Sequence, residues 1–425
     1  MSIISAESAR TLFDSRESAA RSYCRGFPFV LAAGTGSIVR DVNGREFIDF
    51  LANAGALNYG HNDPDMKAAL IDYIASDGIT ASLDLFTTPK HAFLMALENT
   101  ILAPRGLDYR VQFTGPTGTN AVEAALKLAR KVTGRNNVIA FTNAFHGVSL
   151  GSLAATASSH HRMGPEQGLH GVTRMPYDGY FEGVDTSGFL ASMLEDPSGG
   201  IDPPAAIILE TVQGEGGLNV ASPQWLQRIA TIARQHGALL IVDDIQAGCG
   251  RTGTFFSFEG EGITPDIVLL SKSLSGFGLP MSVVLIRPDL DVWTPGEHNG
   301  TFRGNNHAFI TATVALTKFW GDRSFADDIA RKAEIVRTSL TAMSRLTESG
   351  KVKGRGLMQG LDVGTGMEAA SIRSRCVEQG LLIESSGSFD QVLKVMAPLT
   401  IPDDLLIKGL GILARSVAEE YRIAA

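Results

Sequence analysis

The sequence predicts an α/β fold: a mostly parallel sheet covered by helices, with a smaller α+β unit beside it. Three observations point there. From Tyr109 onward, short apolar runs alternate with stretches of helical spacing, and strands joined through helices pair in parallel. After about Ala308 this alternation gives way to a long helical stretch followed by short strands. The chain has 425 residues, more than the roughly 250–300 at which a single core stops growing.

Residues 1 to about 36 read as a helix followed by an irregular arm. SIVRDVNGREFIDF reads as strand, turn, strand, because Asn43-Gly44 is a strong hairpin signal. LANAGALNYGHNDP, rich in Gly, Asn and Pro, reads as a loop. Its Asn58, Tyr59 and His61 are candidates to line a site, with a core position as the other reading of Tyr59. MKAALIDYIASDG has helical spacing and a terminal glycine. The strand YRVQF, the loop TGPTG and the helix TNAVEAALKLARKVTG follow, then the strand NVIAF and the loop TNAFHG. Further strands at PAAIILE, GALLIVDD and DIVLL, with the helical SPQWLQRIATIARQHG between them, carry the sheet to roughly residue 310. Beyond the helical segment that starts near Ala308, GRGLMQGLDV, GLLIES and VLKVMAP read as strands of the smaller unit, which the N-terminal arm completes. Residues 51–310 are thus expected as the large domain, and 1–50 plus 311–425 as the small one.

The balance of 37 basic against 45 acidic residues gives a net charge of -8, which argues against nucleic acid or an anionic membrane surface and favours small metabolites. Cys24, Cys249 and Cys376 are odd in number and far apart, forming neither a disulfide framework nor a zinc spacing. No metal is expected. The N-terminal segment lacks the apolar core of a signal peptide, and no apolar run approaches the roughly 18 residues of a membrane span, so a cytoplasmic protein is expected.

Four features carry chemistry. Lys272 ends the apolar run Ile267-Val268-Leu269-Leu270, where an ammonium is costly and its pKa falls, as an amine nucleophile requires; a solvated strand end is the other reading. Asp243 ends the buried run LLIVDD, where a carboxylate needs a cationic partner such as a pyridinium nitrogen; an N-cap or structural ion pair is the alternative. GPTGTN puts Gly118 and Thr119 at a helix N-terminus, suited to a phosphate, although Asn120 and Glu123 also have capping-box spacing. Phe145 follows another strand and could stack on a planar ring or fill the core. Asp243 and Lys272 lie about one strand-crossover-strand unit apart, so both can project into the crevice at the carboxyl ends of parallel strands.

Together with TGTNAVEAALKLAR, FHG, ETVQGEGG, DDIQAGCGRTG, SKSLSGFGLP, GTFRGNN and GRGLM, these residues resemble the class III (ω-) aminotransferases, over about residues 25–402. The resemblance implies pyridoxal 5'-phosphate on the type I fold, with a mostly parallel seven-stranded sheet in the large domain. It implies that Lys272 forms the Schiff base with the cofactor and carries the proton. By the same resemblance Asp243 holds the ring nitrogen, Gln246 the ring hydroxyl, Gly118 and Thr119 the phosphate, and Phe145 stacks on the ring. Thr301 would reach the phosphate of a neighbouring subunit, which implies a homodimer with interfacial sites and leaves open whether dimers pair into tetramers.

Within the family, LNYGH, DDIQAGCGRTG, SKSLSG and NGTFRG resemble the branch that exchanges the 4-amino group of 2,4-diaminobutyrate with 2-oxoglutarate, feeding ectoine, siderophore or peptide-antibiotic pathways. Ornithine-, 4-aminobutyrate- or lysine-type ω-aminotransferases, isomerases and decarboxylases of the same cofactor class, and a non-catalytic binding protein stand as alternatives. Two departures are visible. The second acid of the usual Asp-Glu pair is Asp244, and the arginine expected to clamp the keto-acid carboxylate falls on Lys353, with Arg355 two residues on. The resemblance implies a Glu215–Lys353 pair, with an ordinary solvated glutamate as the other reading of Glu215, and resemblance and loop position put Tyr59, Asn58 and the 80–88 loop at the donor's amino-acid end.

Overall fold

Seven strands build the central sheet of the computed structural model, which describes residues 6–162 and 168–423. They are β1 (Arg110–Phe113), β2 (Val138–Phe141), β3 (Val172–Met175), β4 (Ala206–Leu209), β5 (Leu239–Asp243), β6 (Ile267–Leu270) and β7 (Val283–Ile286). Their spatial order is β1-β7-β6-β5-β4-β2-β3. β7 runs antiparallel to both neighbours and every other pairing is parallel. The strands β2, β4, β5, β6 and β7 are buried along their whole length, as a sheet covered on both faces requires, which is why they read as unbroken apolar runs. β3 and β7 complete the sheet beyond the strands expected from the sequence; β7, although an apolar run, is an antiparallel insertion that breaks the strand-helix alternation.

The helix Gly118–Thr133 covers one face with Ala121, Val122, Ala125, Leu126 and Leu128, all buried. The predicted helices at MKAALIDYIASDG and SPQWLQRIATIARQHG run over Pro64–Ala75, capped by the Asp63 carboxylate, and over Pro223–Gln235, capped by the Ser222 hydroxyl. The helical stretch after Ala308 divides into Asn306–Phe319 and Ser324–Ser344.

A second, four-stranded sheet has the order Lys351–Arg355, Met358–Asp362, Val392–Val395, Glu384–Ser386. The N-terminal hairpin forms as expected: Ile38–Asp41 pairs with Glu46–Asp49, Gly44 takes φ +82°, and the Asp41 side chain accepts from the backbone N–H groups of Asn43 and Arg45. A third strand, Leu31–Thr35, adds to it inside the region read as irregular. The far edge of this sheet is Leu381–Leu382, parallel to Ile48 and Asp49, so the two ends of the chain share one sheet. Among the described residues no helix is long and apolar enough to cross a membrane.

Candidate active site

The parallel strands deliver their chemistry to one edge. Asp243 is the last residue of β5, Lys272 follows β6, Phe145 and His146 follow β2, and Glu210 and Glu215 follow β4. All lie beyond the carboxyl ends of neighbouring strands, the crevice in which open α/β sheets bind ligands.

Lys272 opens a single 3-10 turn with φ +46°, an unfavourable conformation for a side-chain-bearing residue. Its Nζ donates to the Ala54 carbonyl at 3.0 Å. That carbonyl is turned inward by three successive left-handed residues, Ala52, Asn53 and Ala54 at φ 45°, 50° and 55°, in the loop read from LANAGALNYGHNDP. Burial pulls the Lys272 ammonium below its usual pKa, against the charge of Glu215.

Asp243 is buried and accepts from two donors: His146 Nδ1 at 2.7 Å to Oδ2, and the Ile245 N–H at 3.1 Å to Oδ1. Burial acts to lower the His146 pKa, but the hydrogen bond to Asp243 and its charge outweigh it and raise the value. Phe145 donates its N–H to Glu210 Oε1 at 3.0 Å, and its ring meets His161 edge-on at 5.2 Å. Burial lifts the Glu210 carboxyl to about 7.

Gly118 and Thr119 begin their helix, and Thr117 at the N-cap makes no side-chain cap hydrogen bond. The capping box is not formed: Glu123 Oε1 instead accepts from the Ser152 N–H at 3.0 Å. Thr119 Oγ1 lies 3.0 Å from Ser149 Oγ and 2.5 Å from Ser152 Oγ, a cluster of hydroxyls at the positive end of the helix. The glycine of FHG makes this possible. Gly147 sits at φ +125°, and a Cβ there would stand 2.5 Å from Thr119 Oγ1.

A cavity of about 570 Å³ opens over Lys272, with Ala54, Phe145, His161, Glu215 and Glu384 in its wall. Gln246 stands behind it, donating to the Ala54 carbonyl at 3.0 Å and to Glu215 Oε1 at 3.1 Å, while its own Oε1 is buried without a partner.

Several expected residues are elsewhere. The Glu215–Lys353 pair is not formed. Lys353 Nζ donates to Asn219 Oδ1 at 2.7 Å from a strand of the small sheet, and Glu215 Oε1 instead lies 3.0 Å from Lys394 Nζ. Arg355 binds Glu261 and the Ser257 carbonyl, away from the cavity wall. Tyr59 is a core residue: it stacks on Phe319 and Phe325, and its hydroxyl accepts from Trp320 Nε1 at 2.9 Å. Its neighbour Asn58 is also buried, tied to Cys249 and Arg251. Asp244 is held by Ser257 beneath the sheet edge. Thr301 lies on an exposed loop whose Gly300 approaches Gly115.

The sequence reading passed over four residues. His146 and Glu210 stand inside the motifs FHG and ETVQGEGG, which were noted without assigning those two positions. Lys394 and Glu384 face each other across two strands of the small sheet; a lysine inside the apolar VLKVM and a glutamate ending LLIE were the available signals.

Residues 20–417 match the family model for class-III aminotransferases. The chain is 56% identical to a diaminobutyrate–2-oxoglutarate transaminase from Vibrio cholerae, covering 96% of this chain and 100% of the relative. It is 54% identical to one from Halalkalibacterium halodurans, covering 96% of each. Its fold superposes on the ornithine aminotransferase from Toxoplasma gondii with a TM-score of 0.84 at 29% identity, over 99% of this chain and 96% of that one, a protein seen with pyridoxal phosphate at partial occupancy in its active site. A transaminase from the marine bacterium Virgibacillus shares the fold at a TM-score of 0.87 and 19% identity, over 98% of this chain and 100% of that one. With a half-buried lysine, a histidine-supported carboxylate and a helix N-terminus converging at the sheet edge, these matches lead to one conclusion: the chain belongs to the class-III aminotransferase family, with pyridoxal 5'-phosphate as its cofactor.

Proposed function

We propose that this chain is a transaminase that moves the 4-amino group of L-2,4-diaminobutyrate to 2-oxoglutarate, and in the reverse sense forms diaminobutyrate from aspartate 4-semialdehyde and glutamate. The observation that carries the reading is identity of 56% and 54%, over 96% of the chain, to relatives bearing that name.

The residues suit the cofactor. Asp243 is a buried carboxylate already backed by His146, and it would hold a protonated ring nitrogen. Gln246 has an unsatisfied buried oxygen and would meet the ring hydroxyl through its amide. Gly118 and Thr119, at an N-terminus that Thr117 does not cap, would hold the phosphate, and Phe145 would cover the ring. When bound, the cofactor supplies an electron sink that acidifies the carbon bearing the amine.

Lys272 Nζ takes and returns the proton at that carbon. Its lowered pKa keeps more of it as the free base near neutrality, the state a general base needs. Its anchor, the Ala54 carbonyl, holds the amine at the cavity. We assign the keto-acid carboxylate to Lys394 in place of Lys353, because Lys394, itself buried behind the wall, is the cation paired with Glu215, which lines the cavity.

The same reading includes a homodimer in which Thr301 serves the neighbouring subunit. It is supported by exposed apolar side chains, Leu83, Leu85, Phe86 and Phe302, on two adjacent loops joined by the Asp84–Arg303 ion pair. A cytoplasmic location is supported by three free cysteines, two of them buried. The test is a donor panel of diaminobutyrate, ornithine, 4-aminobutyrate and lysine with 2-oxoglutarate, read as glutamate formed. A higher kcat/KM for any other donor than for diaminobutyrate would refute the substrate assignment.

A further inference from the structure

Glu384 closes the cavity on the side away from the sheet. It sits on the strand Glu384–Ser386, directly opposite Lys394 in the antiparallel register. Only 5% of the residue is exposed, yet it belongs to the wall of the same cavity as Lys272. Its Oε1 lies 2.9 Å from Lys394 Nζ but off the line of a hydrogen bond, so this buried oxygen has no hydrogen-bond donor. A buried acceptor in that state is costly unless a ligand supplies the donor.

The ion cluster it belongs to has a definite sign, with Arg25 and Arg373 also in the cavity wall. Lys394 is fully buried between two carboxylates, Glu215 at 3.0 Å and Glu384 at 2.9 Å, so the three groups together carry one negative charge. Glu215 satisfies itself further through Gln246 Nε2 at 3.1 Å; the Tyr23 hydroxyl stands beside the Glu384 carboxylate, and Glu384 Oε1 itself has no hydrogen-bond partner. Contacts run without a gap from Lys272 to Glu384 through the Ala54 carbonyl, Gln246, Glu215 and Lys394, and the two ends of this chain both line the cavity. Because Lys272 and Glu384 line one cavity, a donor held there has both groups within its surroundings.

We propose that Glu384 binds the second ammonium of the donor, the α-ammonium of a diamino acid, and so selects diamino acids over donors with a single amine. The inference rests on the donor assignment made above. A second ammonium would offset the negative charge of the Glu215–Lys394–Glu384 group and fill the empty acceptor; 4-aminobutyrate, with a methylene at that position, can do neither. Glu384 is in this sense a specificity residue and takes no part in proton transfer.

The test is the cofactor half-reaction, followed by absorbance without keto acid, in wild type and Glu384→Gln, with L-2,4-diaminobutyrate and with 4-aminobutyrate at high concentration. The ratio of the two kcat/KM values is expected to fall by about tenfold to a hundredfold in the variant, the range for losing one charge-assisted hydrogen bond to a buried acceptor. A ratio within threefold of wild type overturns the proposal, because a merely structural glutamate would slow both donors alike. Should Glu384→Gln not fold, Glu384→Asp, which withdraws the carboxylate by one methylene, is read by the same ratio and the same threshold. If wild type itself fails to react with diaminobutyrate, the donor assignment is what has failed.

Discussion

Lys394 Nζ sits 3.0 Å from Glu215 Oε1 and 2.9 Å from Glu384 Oε1 with none of its side chain exposed. Burial opposes its charge, but the two carboxylates outweigh burial and raise its pKa. Glu215 responds in kind: burial acts against its charge, yet Lys394 and Lys272 hold its carboxyl at about 2. Removing the cation strands the buried carboxylate of Glu384 and the half-buried one of Glu215. Lys394→Met is expected to cost about 3–5 kcal/mol in chemical denaturation and to raise the KM for 2-oxoglutarate. Lys353→Met, whose amine meets only Asn219 among the described contacts, should leave that KM within about twofold; a larger shift would return the carboxylate clamp to position 353.

The same pair sets an acid limit. Glu215 has a folded pKa of about 2, below its ordinary value of 4.5, so its charge contributes stability that is fully present above 4.5 and lost as pH falls through 2. Denaturation midpoints measured from pH 5 to 2 should therefore decline less steeply in Glu215→Gln than in wild type. Equal slopes would show that Glu215 titrates normally in the fold.

Lys272→Ala removes both the amine and the proton carrier. Turnover is expected below about a thousandth of wild type, with fold and melting temperature retained. Turnover near wild type would dismiss Lys272 as the catalytic lysine.

His146 buttresses Asp243 through a buried 2.7 Å hydrogen bond. His146→Ala is expected to weaken cofactor retention by about tenfold to a hundredfold, the range for a hydrogen bond to a charged group. Cofactor titration of the apoprotein measures it, and unchanged affinity would make His146 a packing residue only.

Tyr59→Phe separates core from site. It leaves the buried Trp320 N–H without its acceptor, a loss of about 1–3 kcal/mol. The KM for every donor should stay within about twofold; a donor-specific change would restore Tyr59 to the substrate site.

Much of the fold was legible because its code is local. The strands β2, β4, β5 and β6 are buried on both faces and so appear as apolar runs, and the Asn43-Gly44 turn needs a positive φ that glycine supplies. Lys272 and Asp243 announced themselves for the same reason, as charged residues at the ends of such runs. β3 is hidden because Val172–Met175 is short and only partly buried; β7 is as apolar as its neighbours but lies outside the strand-helix alternation that frames the others.

Partner choice across the chain was another matter. Lys353 and Lys394 are both lysines on strands of the small sheet, two places apart in the strand order, and nothing local to either says which one meets Glu215. Tyr59 stands in a loop as suited to a ligand as to a core, until Phe319, Trp320 and Phe325 arrive from more than 250 residues away. By itself the sequence determined the α/β architecture, the lysine and its carboxylate, since burial of a charge shows in its immediate neighbours. The tertiary structure alone decided the ion-pair partners, Lys394 and Glu384 among them, because a Coulombic contact of about 3 Å depends on how distant segments pack and leaves no mark on either segment.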